Sequence, residues 1–361
     1  MKKTDIKSLT LHELEQALTG LGMPAYRARQ VFLWLYRKHA VDFDAMTNLS
    51  KPYRSLLAQH FDIRSLRLTG EKRGRDLTTK YQFMLDDGSA IESVLIPMGR
   101  WHTLCVSTQV GCALGCKFCL TGVKGFRRQL RVQEITGQLD AVVAADPQVS
   151  ISHIVFMGMG EPFANYDNTL KAIGVLTSEY GYQYSQRRIT VSTAGMVPQI
   201  RQFIDESKAH LAVSINALYD DTRSSLMPIN EKYPLRDLIG ALKDYHRKRK
   251  SWITFEYVMI KNVNDGIAHA IQLAKLLKEF PFKVNLIPFN SHQGADYERP
   301  DDAKVRVFQE YLLGHGIACM VRTTHGEEID AACGQLGCVG DEATRPVPLP
   351  PVGVREGVHG H

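Results

Sequence analysis

Three cysteines fall in the pattern C-x3-C-x2-C within Gly111-Cys112-Ala113-Leu114-Gly115-Cys116-Lys117-Phe118-Cys119. Thiolates this close in sequence can converge on one centre, and soft sulfur selects zinc or an iron–sulfur cluster. A structural zinc takes four ligands, commonly from two C-x2-C pairs. No second pair of that spacing follows, so a fourth ligand would have to come from a distant part of the chain. A cubane held by Cys112, Cys116 and Cys119 instead leaves one iron open to bind something else. A second segment, Phe156-Met157-Gly158-Met159-Gly160-Glu161-Pro162, combines glycines with a carboxylate. Glycine lets a backbone approach a ligand closely, and Glu161 can accept from a ligand ammonium. Taken alone, Cys105 and Cys333 read as buried structural thiols, and Glu92 as a solvent-facing residue of a β-hairpin.

These groups work together only if the fold gathers them. Between about residues 102 and 322, β-rich runs are expected at 102–107, 151–156, 188–192, 211–215, 253–260, 283–288 and 317–322. Most are separated by stretches of helical periodicity, such as Ile135, Leu139, Val142 and Val143. Repeated βα units imply a parallel sheet with right-handed crossovers, closed into a full or partial barrel. Chemistry in such folds sits at the C-terminal ends of the strands. Both the cysteine loop and the Gly160-Glu161 loop directly follow expected strands. Residues 79–85 and 90–96 flank Asp86-Asp87-Gly88-Ser89 and predict a hairpin.

Ahead of this, residues 10–61 read as helical, with Ala28, Val31, Phe32, Leu35 and Tyr36 at helical spacing and Pro24 and Pro52 near helix starts. Residues 1–75 carry 14 Lys and Arg against 7 Asp and Glu, while the rest of the chain is close to neutral. Such an asymmetry fits either a polyanion-binding appendage or a solvated basic face. Arg127, Arg128, Arg131, Arg187, Arg188 and the run Arg247-Lys248-Arg249-Lys250 add basic groups expected near a barrel mouth, where they would meet phosphates. Seven cysteines in 361 residues argue against a secreted disulfide framework. No apolar run reaches membrane-spanning length, and no hydrophobic stretch follows the charged N-terminus as in a signal peptide, so a cytoplasmic protein is expected. The Pro- and Gly-rich residues after about Asp341 read as a loose tail.

Taken together, Leu104-Cys105-Val106-Ser107, the Gly111–Cys119 loop, Gly158–Pro162, Ser192-Thr193-Ala194-Gly195 and Asp330-Ala331-Ala332-Cys333-Gly334-Gln335-Leu336 carry a resemblance. Over about residues 10 to 340 the chain resembles the radical S-adenosylmethionine (SAM) adenine methyltransferases of ribosomal and transfer RNA, the RlmN/Cfr family. The resemblance implies an α/β fold, a partial (βα)6 radical SAM barrel with a small N-terminal helical domain and a C-terminal extension. Domains are expected at 1–75 (basic, helical, RNA-binding), 76–100 (hairpin linker), 101–323 (barrel) and 324–361 (extension and tail). It further implies that Cys112, Cys116 and Cys119 hold a [4Fe-4S] cluster, and that Gly160, Glu161, Ser192, Ser214, Ile215, Asn216 and Asn290 contact SAM.

In the family mechanism one SAM methylates Cys333. A second SAM, chelated through its amino and carboxylate groups on the open iron, yields a deoxyadenosyl radical that takes hydrogen from the S-methyl group. The carbon radical adds to adenine C2, a position too poor a nucleophile for ordinary methyl transfer. Cys105 then resolves the protein–RNA adduct by forming a disulfide with Cys333, while Glu92 accepts the ring proton. The partners implied are ribosomal RNA and transfer RNA, a one-electron reductant such as flavodoxin or ferredoxin, and no membrane; a monomer is expected. Alternatives are methylation at C8, which would give antibiotic resistance, a radical SAM enzyme with a non-RNA substrate, and a non-catalytic RNA-binding protein with a structural metal. The chain departs from the family at Ser214-Ile215-Asn216, where Ser-Leu-His is usual, and at Leu120, where Ser is common. Cys319 reads as a core residue and Cys338 has no assigned role.

Overall fold

A computed structural model of the chain describes residues 3–276, 281–292 and 294–337. Cys338 and the tail after Asp341 lie outside the described residues. The centre of the molecule is one ten-stranded sheet whose spatial order follows chain order throughout. Arg67–Arg73 (β1), Thr79–Met84 (β2) and Ala90–Met98 (β3) run antiparallel, and β3 pairs antiparallel with Trp101–Cys105 (β4). From β4 onward all neighbours are parallel: Ile151–Phe156 (β5), Ile189–Thr193 (β6), His210–Ser214 (β7), Ile253–Met259 (β8), Phe282–Pro288 (β9) and Ala318–Val321 (β10). Helices Val132–Ala145, Tyr166–Thr177, Val197–Glu206, Leu235–Arg249, Ile267–Leu276 and Asp302–Gly314 form the crossovers. Six βα units followed by a further strand thus make the expected partial barrel. The sequence Ile253-Thr254-Phe255-Glu256-Tyr257 in β8 is buried residue after residue, as a strand covered on both faces must be.

The barrel stays open, because β10 forms an edge of the sheet and does not pair back to β4. The segment after β10 crosses towards β1 and β2. His325 Nδ1 and Gly326 N–H meet Asp76 Oδ2 at 3.1 and 3.0 Å, and Lys80 Nζ donates to the Asp330 carbonyl at 2.9 Å. Gly326 has φ +66° and a Cβ there would approach Ala331 Cβ to 2.8 Å, so this crossing requires glycine.

Two domain boundaries differ from expectation. The segment 67–73 is a strand rather than part of the helical domain, and residues 76–100 extend the barrel sheet rather than link two bodies. β1 is an edge strand with Arg67, Glu71, Lys72 and Arg73 exposed on it, the charged kind of edge that resists pairing with other chains. That composition carries no apolar alternation, so nothing in its pattern announces a strand.

The N-terminal helices Leu11–Gly20, Tyr26–Tyr36 and Lys51–His60 follow the expected periodicity. Thr10 and Glu13 form a capping box at the first, with Thr10 N–H to Glu13 Oε2 at 2.8 Å. Leu14, Leu18, Val31, Phe32, Leu35 and Tyr36 are almost wholly buried, each large side chain contributing about 1.5–3 kcal/mol. The unit docks on the barrel's outer helices through Asp140, which accepts from Lys7 Nζ at 2.8 Å and Tyr182 OH at 2.7 Å. Part of its positive charge is consumed in ion pairs: within the unit Arg29 pairs with Glu15, Arg54 with Asp44 and Arg64 with Asp62, while Lys7 pairs with Asp140 of the barrel and Arg64 also with Asp86 of the sheet.

Candidate active site

The parallel strands end together, and the segments that follow them converge on one cavity. Cys112, Cys116 and Cys119 line it with Gly160, Glu161, Ser192, Ser214, Met227, Glu256 and Cys333. Local backbone demands fix the cysteine loop. Gly111 has φ +74°, and a Cβ there would lie 1.9 Å from the Gly125 carbonyl oxygen. A Cβ on Gly122 would come within 2.9 Å of Cys116 N. Cys112 N–H donates to Gly125 O at 2.9 Å and Lys117 N–H to Leu226 O at 3.0 Å, so the loop is held from both ends.

Among the described residues no group of three or more His, Cys, Asp or Glu is gathered tightly enough for a single metal ion. Three thiols lining one cavity are, by their soft donor chemistry, a ligand set that fits an iron–sulfur cluster. Burial pushes the Cys116 thiol up to about 12 and raises Cys112 well above its ordinary value too, so both ionise only when a metal replaces the proton.

Glu161 ties two loops together. Its Oε1 accepts from Phe163 N–H at 3.0 Å and its Oε2 from Ala194 N–H at 2.8 Å, while its own N–H donates to Gln109 Oε1 at 2.8 Å. Burial raises its carboxyl to about 7, against the lowering effect of these donors. The protein's own packing already requires the glycines beside Glu161. A Cβ on Gly158 would fall 2.8 Å from Ser107 Oγ, and one on Gly160 would fall 2.5 Å from Gln109 Cβ. Ser107 and Gln138, both fully buried, knit this loop to β3: Ser107 Oγ donates to Glu92 O at 2.6 Å and accepts from Met159 N–H at 2.8 Å, and Gln138 Oε1 accepts from Ser93 Oγ at 2.6 Å.

The segment after β10 delivers Cys333. Leu120 N–H donates to Gly334 O at 2.8 Å, Thr121 Oγ1 to Leu336 O at 2.5 Å, and Asn290 Nδ2 to Cys333 O at 3.1 Å. The Cys333 side chain is exposed to the cavity, yet dense surroundings push its thiol up to about 11, with Glu256 adding to the rise. Cys105, at the end of β4, is buried and its thiol is raised further, first by desolvation and then by Cys333 itself. Glu92 is buried rather than solvent-facing: it sits 3.5 Å from Lys80 Nζ and accepts Gly337 N–H at 2.8 Å.

Not every residue expected at the site reaches the cavity. Ile215 and Asn216 are wholly buried behind the wall. Asn216, at φ +54°, accepts from Val258 N–H at 2.8 Å and donates to Met227 Sδ at 3.2 Å. Asn290 holds the Cys333 backbone and is bonded to Thr324 Oγ1 at 3.1 Å. The basic residues also need correction. Arg187, Arg188 and the run 247–250 immediately precede β6 and β8, so the parallel sheet puts them at the end opposite the site. Arg128 is engaged with Asp87 at 2.6 Å and Glu134 at 2.8 Å.

Residues 4–63 match the ribosomal RNA large subunit methyltransferase N-terminal domain, and residues 106–274 match the radical SAM superfamily. The chain is 45% identical over 336 residues to the dual-specificity RNA methyltransferase RlmN of Geotalea uraniireducens, covering 93% of this chain and 97% of that one. It is 44% identical over 354 residues to the protein of the same name from Alcanivorax borkumensis, covering 95% and 93%. The chain belongs to the RlmN family of radical SAM enzymes. A crystal structure of a radical SAM methyltransferase from Sphaerobacter thermophilus superposes with a TM-score of 0.87 at 44% identity, over 92% of this chain and 99% of that one.

Membership brings a [4Fe-4S] cluster and SAM as cofactors. Sequence reading missed Lys80, Ser107, Gln109, Gln138, Arg223 and Glu256, which lie scattered along the chain and form no motif. Ser107 stood within a motif segment singled out beforehand, and Lys80 and Glu256 within expected strands, but none was given a role. Cys319 is the core residue expected, buried on β10 opposite Val284.

Proposed function

We propose that this chain methylates C2 of an adenosine in large-subunit ribosomal RNA and in transfer RNA, with Cys333 carrying the methyl group and Cys105 resolving the protein–RNA adduct. The observation that carries this reading is that Cys333, from the far end of the chain, opens onto the same cavity as Cys112, Cys116 and Cys119. The relatives' names supply a dual-specificity RNA methyltransferase activity. Cys112, Cys116 and Cys119 would hold the cluster, with Gly160, Glu161, Ser192 and Ser214 around SAM. When bound, these cofactors supply one-electron chemistry, which an unreactive ring carbon needs.

The chain's own residues then have distinct tasks. Cys333 and Cys105 must each lose a proton to act as nucleophiles, and burial opposes this at both. Glu92, next to Lys80, is the proposed acceptor of the ring proton. Ile215, Asn216 and Asn290 act from behind the wall, keeping β7, β8 and the Cys333 turn in place. A one-electron reductant such as flavodoxin or ferredoxin, a monomeric state and a cytoplasmic location belong to this reading. Among the described residues no helix is long and apolar enough to cross a membrane.

The test is anaerobic incubation of cluster-reconstituted protein with SAM, reductant and unmodified ribosomal or transfer RNA, followed by mass spectrometry of digested nucleosides. 2-Methyladenosine is the expected product. 8-Methyladenosine would move the site of attack, and no methyladenosine despite SAM cleavage would sink the RNA assignment.

Glu161 gives the reading a pH signature. Ionised, it can accept from the SAM ammonium; with its carboxyl at about 7, SAM affinity should fall by up to about tenfold per pH unit below that value. For ligand-free protein the sign is opposite. A carboxyl raised above its ordinary 4.5 contributes stability below that value and loses it as pH rises through about 7. Glu161→Gln should weaken SAM binding by roughly 10- to 100-fold and flatten the profile. A wild-type affinity that does not change between pH 5.5 and 8.5 would remove Glu161 from this role.

A further inference from the structure

Arg223 is among the largest wholly buried side chains of the protein, at 0% exposure. Its fork is spent on neutral acceptors: Nη2 donates to Ala194 O at 2.7 Å and Ser214 O at 3.3 Å, Nε to Ile215 O at 3.1 Å, and Nη1 to Asn230 Oδ1 at 2.8 Å. Each acceptor removes part of the cost of taking a guanidinium out of water, but none carries the opposite charge, and a buried charge ordinarily has a counter-charge. Burial pulls its pKa down to about 10, and the groups that act against this are Cys116 and Asp220. Asp220 is exposed, so solvent screens it.

The geometry leads to the cysteine loop. Arg223 belongs to the helix Asp220–Leu226, and the Leu226 carbonyl accepts the N–H of Lys117, the residue after Cys116. Met227, next in the chain, lines the cavity beside the three thiols. Gly195, at φ +109°, belongs to the same arrangement: a Cβ there would stand 3.2 Å from Arg223 Nη2. The cation therefore lies between the loops after β6 and β7, on a helix whose last residue is bonded to the residue after Cys116.

We propose that Arg223 is the fixed counter-charge of the thiolate-ligated cluster, raising its midpoint potential while bracing the SAM-binding loops. A cubane on three thiolates already carries net negative charge, and reduction adds one electron and one further negative charge. A buried cation stabilises the reduced form more than the oxidised one, because coulombic attraction is weakly screened away from solvent. The fork also positions Ala194, whose N–H binds Glu161, and Ser214, which lines the cavity. Arg223 is thus a positioning residue that touches neither SAM nor RNA.

The experiment is a dithionite titration of cluster-loaded protein, followed by electron paramagnetic resonance, for wild type, Arg223→Gln and Arg223→Lys. Both substitutions should weaken SAM binding, since both lose the fork. Only Arg223→Gln should shift the midpoint to more negative potential, while Arg223→Lys, which keeps the charge, should stay at the wild-type value. An unshifted Arg223→Gln, or equal shifts in both, would overturn the proposal. Where Arg223→Gln does not fold, citrulline incorporated at position 223 decides: it keeps the planar shape of the side chain and removes the charge. It should give the same negative shift, and an unchanged potential would again overturn the idea. The inference rests on the cluster assignment above. Wild-type protein without bound iron and sulfide would sink that assignment, whereas a loaded wild type with an unshifted Arg223→Gln sinks this one alone.

Discussion

Cys333→Ala should reduce RNA methylation to background, a loss of at least about a thousandfold, or roughly 4 kcal/mol of barrier. Among the described residues the Cys333 thiol is the one lining the cavity that lies outside the C-x3-C-x2-C loop, and with Gly334 it comes from beyond the barrel. Its removal leaves the backbone contacts of its turn intact, because Asn290 holds the Cys333 carbonyl and Leu120 holds that of Gly334. The variant should therefore fold, keep its iron and bind SAM, and the loss would be chemical. Cys105→Ala should behave differently. Its partner can still be methylated and can still join to the base, but nothing attacks the Cys333 sulfur to release it. A covalent protein–RNA species should accumulate on denaturing gels at up to one per active site, with turnover lost. Full methylation by Cys333→Ala would exclude the carrier-thiol route. Turnover by Cys105→Ala without adduct would leave Cys105 as the core residue its burial first suggests.

Gly111→Ala should have the second largest effect, on the cluster rather than on the RNA chemistry. The added Cβ would meet the Gly125 carbonyl oxygen at 1.9 Å, and that oxygen is the acceptor for Cys112 N–H. A non-glycine residue at φ +74° costs about 1–2 kcal/mol. Relief of the overlap must push the 126–129 strand away from 109–111, a distortion worth about 1–3 kcal/mol. Both costs fall on the backbone that presents Cys112. The expected result is folded protein with most of its iron lost after reconstitution, read by metal analysis and visible absorption. Gly115→Ala makes a useful companion, because Gly115 has φ +64° but open space around its Cβ. It should pay only the conformational cost and retain more iron. Iron at the wild-type level in Gly111→Ala would mean that the loop is free to rearrange.

The buried environment of Glu92 changes how its role is to be understood. The carboxylate is anchored by Lys80 and by the Gly337 N–H, while Lys80 also holds the Asp330 carbonyl. Glu92 is thus bonded to the same stretch of chain that carries Cys333. Any movement of that stretch would change what Glu92 is bonded to, because it carries both the Gly337 N–H and the Asp330 carbonyl.

What the sequence determined by itself was the set of elements and the local chemistry. Apolar runs separated by helical periods dictate a sequentially ordered parallel sheet, because strand and helix faces are set by nearest-neighbour spacing. The three clustered thiols are legible for the same reason: eight residues of chain cannot hold them far apart. Resemblance to a family drew attention to Cys105, Cys333 and Glu92, which spacing alone gives as ordinary buried thiols and a hairpin residue. Only the tertiary structure decided that Cys333 meets the cysteine loop, that Glu92 is buried against Lys80, and that Asn216 and Asn290 support the site from behind its wall. It alone moved Arg187, Arg188 and the 247–250 run to the far end of the barrel, and made β1 a strand despite its charged sequence. Such outcomes depend on which residues far apart in the chain become neighbours. Packing selects them through steric limits such as those at Gly158, Gly160 and Gly195, and through the need to satisfy buried groups such as Arg223.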